Sequence, residues 1–110
     1  MMKRCLTTVL LAVATTAAAQ GTLQIGAVTS LSGRFATFGQ MQQAGFWVAI
    51  DEINARGGVN GQKVALAIED DASDTNKALS AAEKLVNQKV PVVIGAYASG
   101  ITKPCLLYTS

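Results

Sequence analysis

Apolar and polar positions alternate along the chain in blocks that predict strands and helices in turn. Apolar runs at residues 23–29, 63–68 and 90–96 have the length of strands, and the second is apolar on both faces, as in strands covered by helices on two sides. Between them, residues 40–56 and 75–87 repeat apolar side chains at helical spacing. The order strand, helix, strand, helix, strand predicts a three-layer α/β fold with a parallel sheet and right-handed crossovers.

The second of the two predicted helices is the more clearly amphipathic. Its apolar positions are Ala78, Ala81, Ala82, Leu85 and Val86. Asp74 precedes it as a favourable N-cap residue. In the first predicted helix, Gly45 and Ala49 are small, which predicts a close approach of that helix to the sheet. The glycines at 57–58 are expected to end it.

The N-terminus has the composition of an export signal. Basic residues at 3–4 are followed by an apolar stretch at 6–14 and by small residues at 17–19 that suit a cleavage site. The apolar stretch is too short for a membrane span, which needs roughly 20 residues. We therefore predict a signal peptide over residues 1–19 and a periplasmic location for the mature protein.

Removal of that segment changes what the composition implies. The 110 residues contain 9 Lys and Arg against 7 Asp and Glu, and loss of the two basic residues at 3–4 leaves the mature chain neutral. A neutral chain lacks the basic surface that binds nucleic acid. The sequence contains no His, the commonest general base and metal ligand, and only Cys105 remains beyond the signal. We expect no enzymatic activity, no metal, no cofactor and no intrachain disulfide.

Two loops rich in Ser, Thr and Gly follow the first and third predicted strands, at residues 30–39 and 96–102. Open parallel sheets bind ligands beyond the carboxyl ends of their strands, where the strand order reverses. These loops flank that point if the first strand lies between the other two. A helix starting after Ser99 would present N–H groups to a carboxylate, and Phe38 and Tyr97 would form apolar walls. The same residues are ordinary turn formers, so a simple loop remains an alternative.

Other chemistries of α/β folds have little support in the sequence. The first loop matches neither the dinucleotide fingerprint nor the Walker A motif, and no nucleophile elbow is present. The acidic cluster at 69–71 fits a solvated strand exit better than a metal site. Cys105 is a poor candidate nucleophile because the chain has no His to activate it.

Four segments carry a resemblance to a known family. They are, in order, IGAVTSLSG with the Phe38–Gly39 pair after it, EINARGGVNG, EDDASD and VIGAYASG. Together they resemble the N-terminal lobe of the branched-chain (leucine/isoleucine/valine) amino-acid substrate-binding proteins of ABC importers, over residues 23–104. The resemblance implies a two-lobe periplasmic-binding fold of type I. It also implies a monomer that closes on an amino acid or related carboxylate and presents it to an inner-membrane permease.

The resemblance also implies roles for particular residues. The implied ligand-binding residues are Phe38, Tyr97, Ser99, Gly100 and Thr102. The Ser99 hydroxyl and the neighbouring amides would hold the ligand carboxylate, Phe38 would pack over the ligand side chain, and Tyr97 would shape the pocket. Some family members carry a disulfide at the positions of Ser73 and Ala98, so that bridge is absent here.

Residues 20–104 would then form only part of an N-terminal lobe. The last six residues, 105–110, depart from the family and match one reading frame of a transposon end used in DNA library preparation. We therefore expect them to be a non-native tail on a truncated gene. Two other functions remain open. One is a ligand-sensing receptor ectodomain of the same fold, and the other, with less support, is an exported α/β enzyme whose catalytic groups lie elsewhere.

Overall fold

The computed structural model of the protein describes residues 21–109, so the predicted signal peptide lies outside the described residues. The elements are β1 (Leu23–Thr29), α1 (Ala36–Ala55), β2 (Val64–Asp70), α2 (Thr75–Asn87), β3 (Val92–Ile94) and α3 (Ser99–Thr109). Within this range no helix combines the length and the apolar character needed to cross a membrane.

The three strands form one parallel sheet in the order β2-β1-β3. This confirms the predicted α/β fold and the position of the first strand between the other two. β1 pairs with β2 along its whole length, from Leu23 opposite Val64 to Thr29 opposite Asp70. β3 is shorter than expected and pairs only through residues 92–94. Pro91, directly before it, has no N–H for the ladder.

The two faces of β1 meet different helices. Val28 packs with Ala78, Ala81 and Leu85 of α2 in the main buried cluster, which Ile101 of α3 completes. On the opposite face the Thr29 hydroxyl donates to Gln42 Oε1 of α1 over 2.7 Å. The sheet is therefore covered by α1 on one side and by α2 and α3 on the other.

The amphipathic helix α2 follows the sequence prediction closely. Four of its five predicted apolar positions are buried, and Val86 is the exception, at 41% exposure. The Asp74 side chain accepts a hydrogen bond from the Lys77 amide at 2.9 Å, as expected of an N-cap residue. Gly26 on β1 lets α2 lie close, because a Cβ there would be 2.9 Å from a methyl group of Leu85.

Helix α1 departs from its prediction in two ways. It begins at Ala36, so Phe38 lies in its first turn rather than in a loop. Close packing also occurs at a different glycine. A side chain at Gly39 would overlap the Ser30 carbonyl, whereas Gly45 has nothing within 4 Å, and Ala49 is exposed. The N-terminal turn of α1 contacts the end of β1, and the small residues in its middle face outward.

The third helix continues beyond the loop predicted for residues 96–102. It starts at Ser99, one residue earlier than predicted, and extends through Pro104 to Thr109. Pro104 has no N–H to complete the helical hydrogen-bond pattern. The expectation that residues 105–110 are non-native concerns the gene, and it stays a prediction.

Candidate functional site

Three loops meet at the carboxyl edge of the sheet, because parallel strands end on the same side. They are residues 30–35 after β1, 71–74 after β2 and 95–98 after β3. The strand order reverses at β1, so the first and third of these loops flank the crevice where open α/β sheets bind ligands.

An aromatic pair joins the first turn of α1 to the loop after β3. The rings of Phe38 and Tyr97 stack in parallel, with 4.7 Å between centroids and 2° between planes. Phe35 tilts against Tyr97 at 5.7 Å, and the Arg34 guanidinium lies 4.6 Å from the Phe35 centroid. The structure thus brings together the two predicted apolar walls. Phe38 and Tyr97 are 47% and 41% exposed, which leaves apolar surface for a ligand.

Phe35 belongs to this cluster, although the sequence did not identify it. It lies three residues before Phe38, a spacing that places side chains on one face of a helix. That signal becomes visible only once the helix is known to begin at Ala36. A loop extending to Gly39 gave no reason to pair the two rings.

Ser99 and Gly100 are the first residues of α3, and both are exposed. The N–H groups of a helix's first turn have no acceptor within the helix and carry its partial positive charge. A Cβ built on Gly100 would meet nothing within 4 Å, so the space beside its backbone is open. This arrangement can receive a carboxylate on backbone donors together with the Ser99 hydroxyl.

Thr102 is directed toward the protein rather than toward the crevice. Its hydroxyl donates to the Ala96 carbonyl at 2.9 Å and to the Ala98 carbonyl at 3.0 Å, so its one hydrogen is shared between two backbone acceptors. The structure gives Thr102 a role in the shape of the β3–α3 loop. Its direct contact with a ligand stays a prediction.

Asp70 ties the loop after β1 to the loop after β2. Its carboxylate accepts bonds from the Leu31 amide (2.8 Å), from the amide and hydroxyl of Ser32 (3.3 and 2.6 Å), and from the Ala72 amide (2.8 Å). Partial burial raises the pKa of Asp70, but the hydrogen bonds from Ser32, Ala72 and Leu31 outweigh it, so its pKa lies below the ordinary value.

The prediction that the acidic residues 69–71 are exposed to solvent is wrong for Asp71, which is fully buried. Its Oδ1 accepts the Ser30 hydroxyl at 2.6 Å and the Ser73 amide at 2.8 Å. Its own amide donates to the Thr29 carbonyl, which holds Asp71 against the end of β1. Among residues 21–109 no cluster of three or more acidic, His or Cys side chains suits a metal ion. The acidic run connects loops instead.

A cavity of about 60 Å³ lies between the sheet, α2 and α3, and Gly95, Ala96 and Thr102 form part of its wall. Its walls are mainly apolar and include Val28, Ala82, Val93 and Cys105. Burial raises the pKa of the Cys105 thiol, and the charge of Asp71 raises it further. The thiol is therefore protonated at neutral pH, which makes it unreactive as a nucleophile.

The parallel sheet reverses its strand order beside an aromatic pair and a helix N-terminus, which is the place where open α/β domains bind small molecules. The sequence profile of one family, periplasmic binding protein, matches residues 22–109. The chain belongs to that family.

Individual relatives agree with this assignment. The leucine-, isoleucine-, valine-, threonine- and alanine-binding protein of Pseudomonas aeruginosa is 41% identical over 86 residues, which are 78% of this chain and 23% of the relative. The Leu/Ile/Val-binding protein BraC3 of Rhizobium johnstonii is 37% identical over 86 residues, with the same two shares. The resemblance to branched-chain substrate-binding proteins is thereby confirmed.

A solved structure shares the fold. The branched-chain amino acid transporter substrate binding protein LivJ from Streptococcus pneumoniae, in complex with isoleucine, superposes with a TM-score of 0.76 at 38% identity. The superposition covers 78% of this chain and 25% of LivJ. The chain thus spans about a quarter of the length of the relatives it matches.

Proposed function

We propose that this chain is the N-terminal part of a periplasmic solute-binding protein of an ABC importer. The complete protein captures a branched-chain or similar amino acid and presents it, chemically unchanged, to an inner-membrane permease. Residues 1–19 direct its export, residues 20–104 form part of the first lobe, and the complete protein acts as a monomer. The observation that carries the proposal is the juxtaposition of the Phe38–Tyr97 pair and the N-terminus of α3 at the point of strand-order reversal.

In this proposal the ligand carboxylate binds at the start of α3. The Ser99 hydroxyl and the Ser99 and Gly100 amides donate hydrogen bonds to it. Bonds to a charged acceptor are about twice as strong as neutral ones, and the helix dipole adds to them. Exposure of both residues and the open space at Gly100 support this position.

The ligand side chain packs on the aromatic pair. With their centroids 4.7 Å apart, Phe38 and Tyr97 leave no room between them, so the ligand contacts their exposed outer surfaces. Each Å² of apolar surface removed from water contributes roughly 25 cal/mol. This contact selects ligands with an apolar side chain.

The ligand ammonium group requires a partner from the rest of the protein. Neither the 30–35 loop nor the 95–98 loop contains Asp or Glu. Asp70 and Asp71, at the end of β2 on the other side of β1, are engaged with backbone and hydroxyl donors. We assign the ammonium partner to a second lobe, which closes over the crevice and excludes water from the bound amino acid.

Calorimetry on the complete gene product, amplified from its source organism, tests this function. We expect binding of L-leucine or L-isoleucine and loss of binding for L-leucinamide, which keeps the side chain and lacks the carboxylate. Equal affinity for leucine and leucinamide would contradict the carboxylate site. Absence of binding for every amino acid tested would reject the proposed function.

A further inference from the structure

Asp71 is a fully buried carboxylate that the proposed capture step does not use. Burial of a charged group is unfavourable unless hydrogen bonds compensate it. Its Oδ1 accepts two of them, while Oδ2 has no hydrogen-bond partner within the part of the chain that the structure describes. The two hydrogen bonds to Oδ1 connect the loop after β1 to the loop after β2.

One of the two donors to Asp71 is the amide of Ser73, in the loop after β2. Ala72 and Ser73 both adopt left-handed backbone conformations, with φ of 50° and 59°, which residues other than Gly, Asn and Asp rarely adopt. The Asp70 and Asp71 carboxylates each accept one of these two amides and so hold the turn in this conformation.

The turn presents the Ser73 hydroxyl to the start of α1. Its oxygen accepts the Phe35 amide at 3.0 Å, and its hydrogen is donated to the Ser32 carbonyl at 2.8 Å. Phe35 is the N-cap residue of α1 and provides no side-chain cap of its own. Ser73, from a different loop, therefore accepts the N-cap amide, which in a capping box bonds to the side chain of the third helical residue.

We infer that Asp71 and Ser73 are positioning residues for the apolar half of the binding site. Asp71 fixes Ser73, Ser73 holds the Phe35 amide, and the first turn of α1 then places Phe38 against Tyr97. Neither residue is required to touch the ligand. The inference rests on the proposed function for its binding consequence, but not for its effect on α1.

The variant Ser73→Ala tests this inference in the complete protein. We expect the affinity for L-isoleucine to fall about tenfold, and the affinity for L-alanine to fall less than threefold. Both amino acids use the same carboxylate site, whereas only isoleucine has a large side chain to pack on the aromatic pair. An equal loss for both amino acids would overturn the inference, because general damage to the lobe acts on every ligand.

Asn54→Ala provides a matched control at the opposite edge of the sheet. The Asn54 side chain makes two hydrogen bonds with the Val64 backbone, at 2.9 and 2.8 Å, so its loss also removes a side-chain bridge between two segments. We expect its isoleucine affinity to stay within twofold of the original. An affinity loss equal to that of Ser73→Ala would overturn the inference.

Hydrogen exchange provides a readout that does not depend on any ligand. In Ser73→Ala the peptide covering residues 33–38 should exchange at least tenfold faster, with no such change in Asn54→Ala. If the unmodified protein binds no amino acid, the proposed function fails while this measurement still decides the positioning role. Unchanged exchange in Ser73→Ala would reject that role.

Discussion

At the residue scale, single side chains of the carboxyl edge hold loops that are distant in sequence. The Asp70 carboxylate accepts amides from both the β1–α1 loop and the β2–α2 loop. Because these bonds favour the ionised form, the pKa of Asp70 is lower in the folded protein than in the unfolded chain. The difference makes the stability of the lobe dependent on pH.

The sign of that dependence follows from linkage. Asp70 stabilises the fold fully at pH values above its unfolded pKa, near 3.8, and this contribution is lost as the pH falls through the lower folded value. In urea unfolding, the unmodified complete protein should have a higher free energy of unfolding than Asp70→Asn, and this difference should decrease as the pH falls below about 4. Asp51→Asn, on the exposed face of α1, is the control. If the difference in free energy of unfolding stays constant down to pH 2.5, the hydrogen-bonded role of Asp70 is contradicted.

A second prediction concerns the proposed carboxylate donor. Ser99→Ala should weaken binding of L-isoleucine by about 1–3 kcal/mol, the usual effect of losing a hydrogen bond to a charged group. Ser80→Ala is the matched control, since that hydroxyl lies on α2 and donates to the Asn76 carbonyl. Calorimetry on both variants measures the difference, and unchanged affinity in Ser99→Ala would remove Ser99 from the site.

The fate of the acidic run shows how far residue-level prediction extends. Local sequence gave the N-cap at Asp74, because its bond to the Lys77 amide spans three residues. Local sequence wrongly predicted that Asp71 is exposed to solvent at the end of the strand. The hydroxyl that bonds to Asp71 belongs to Ser30, 41 residues away in sequence. No sequence periodicity connects Ser30 with Asp71, so their hydrogen bond can be recognised only from the folded structure, where the two loops lie side by side.

At the scale of elements, helix α1 contacts the sheet through only part of its apolar residues. Its first turn packs on the end of β1, and Ile50 is buried further along the helix. Met41 and Val48 remain 67% and 68% exposed. Its apolar residues therefore do not mark one buried stripe, which explains why the sequence pattern placed the close contact at the wrong glycine.

A pair of glycine substitutions tests this geometry. Gly39→Ala should destabilise the protein by several kcal/mol, because the added methyl group would overlap the Ser30 carbonyl of a fixed backbone. Gly45→Ala should stabilise it by about 0.5–1 kcal/mol, since alanine favours the helix and the site is open. Urea unfolding measures both, and a harmless Gly39→Ala would show that α1 does not approach Ser30 this closely.

Element boundaries were predicted less well than element order. The strands and helices follow one another in the predicted order, and the structure brings the predicted site residues Phe38 and Tyr97 into contact. The start of α1 was missed because the segment before Gln40 contains a glycine, which was interpreted as a turn residue. In the structure Gly39 is helical and serves close packing, a tertiary requirement that local preference does not reveal.

At the scale of the whole molecule, the described segment has apolar surface that a larger protein would cover. Val92 and Ile94 of β3 lie opposite Ile25 and Ala27, on the same face as α1, and are 53% and 38% exposed. These two side chains leave the α1 side of the sheet incompletely covered. The family relatives are about four times as long as the stretch they share with this chain.

Residues 21–104 expressed alone should therefore self-associate. We expect light scattering to report oligomers and the dye ANS to bind, whereas the complete protein should remain monomeric and bind little dye. Replacing both Val92 and Ile94 by Thr should reduce the association. A monodisperse monomer of the isolated segment would show that this surface needs no cover.

The central position of β1 also bears on how the protein is made. Among residues 21–109 the strand synthesised first is the one that needs two neighbours, and its second neighbour is complete only when Ile94 has left the ribosome. Parallel pairing across such separations forms slowly, since a long chain must close before any contact stabilises it. Until that point in synthesis β1 keeps one unpaired edge, so the described sheet forms only after its last strand is available.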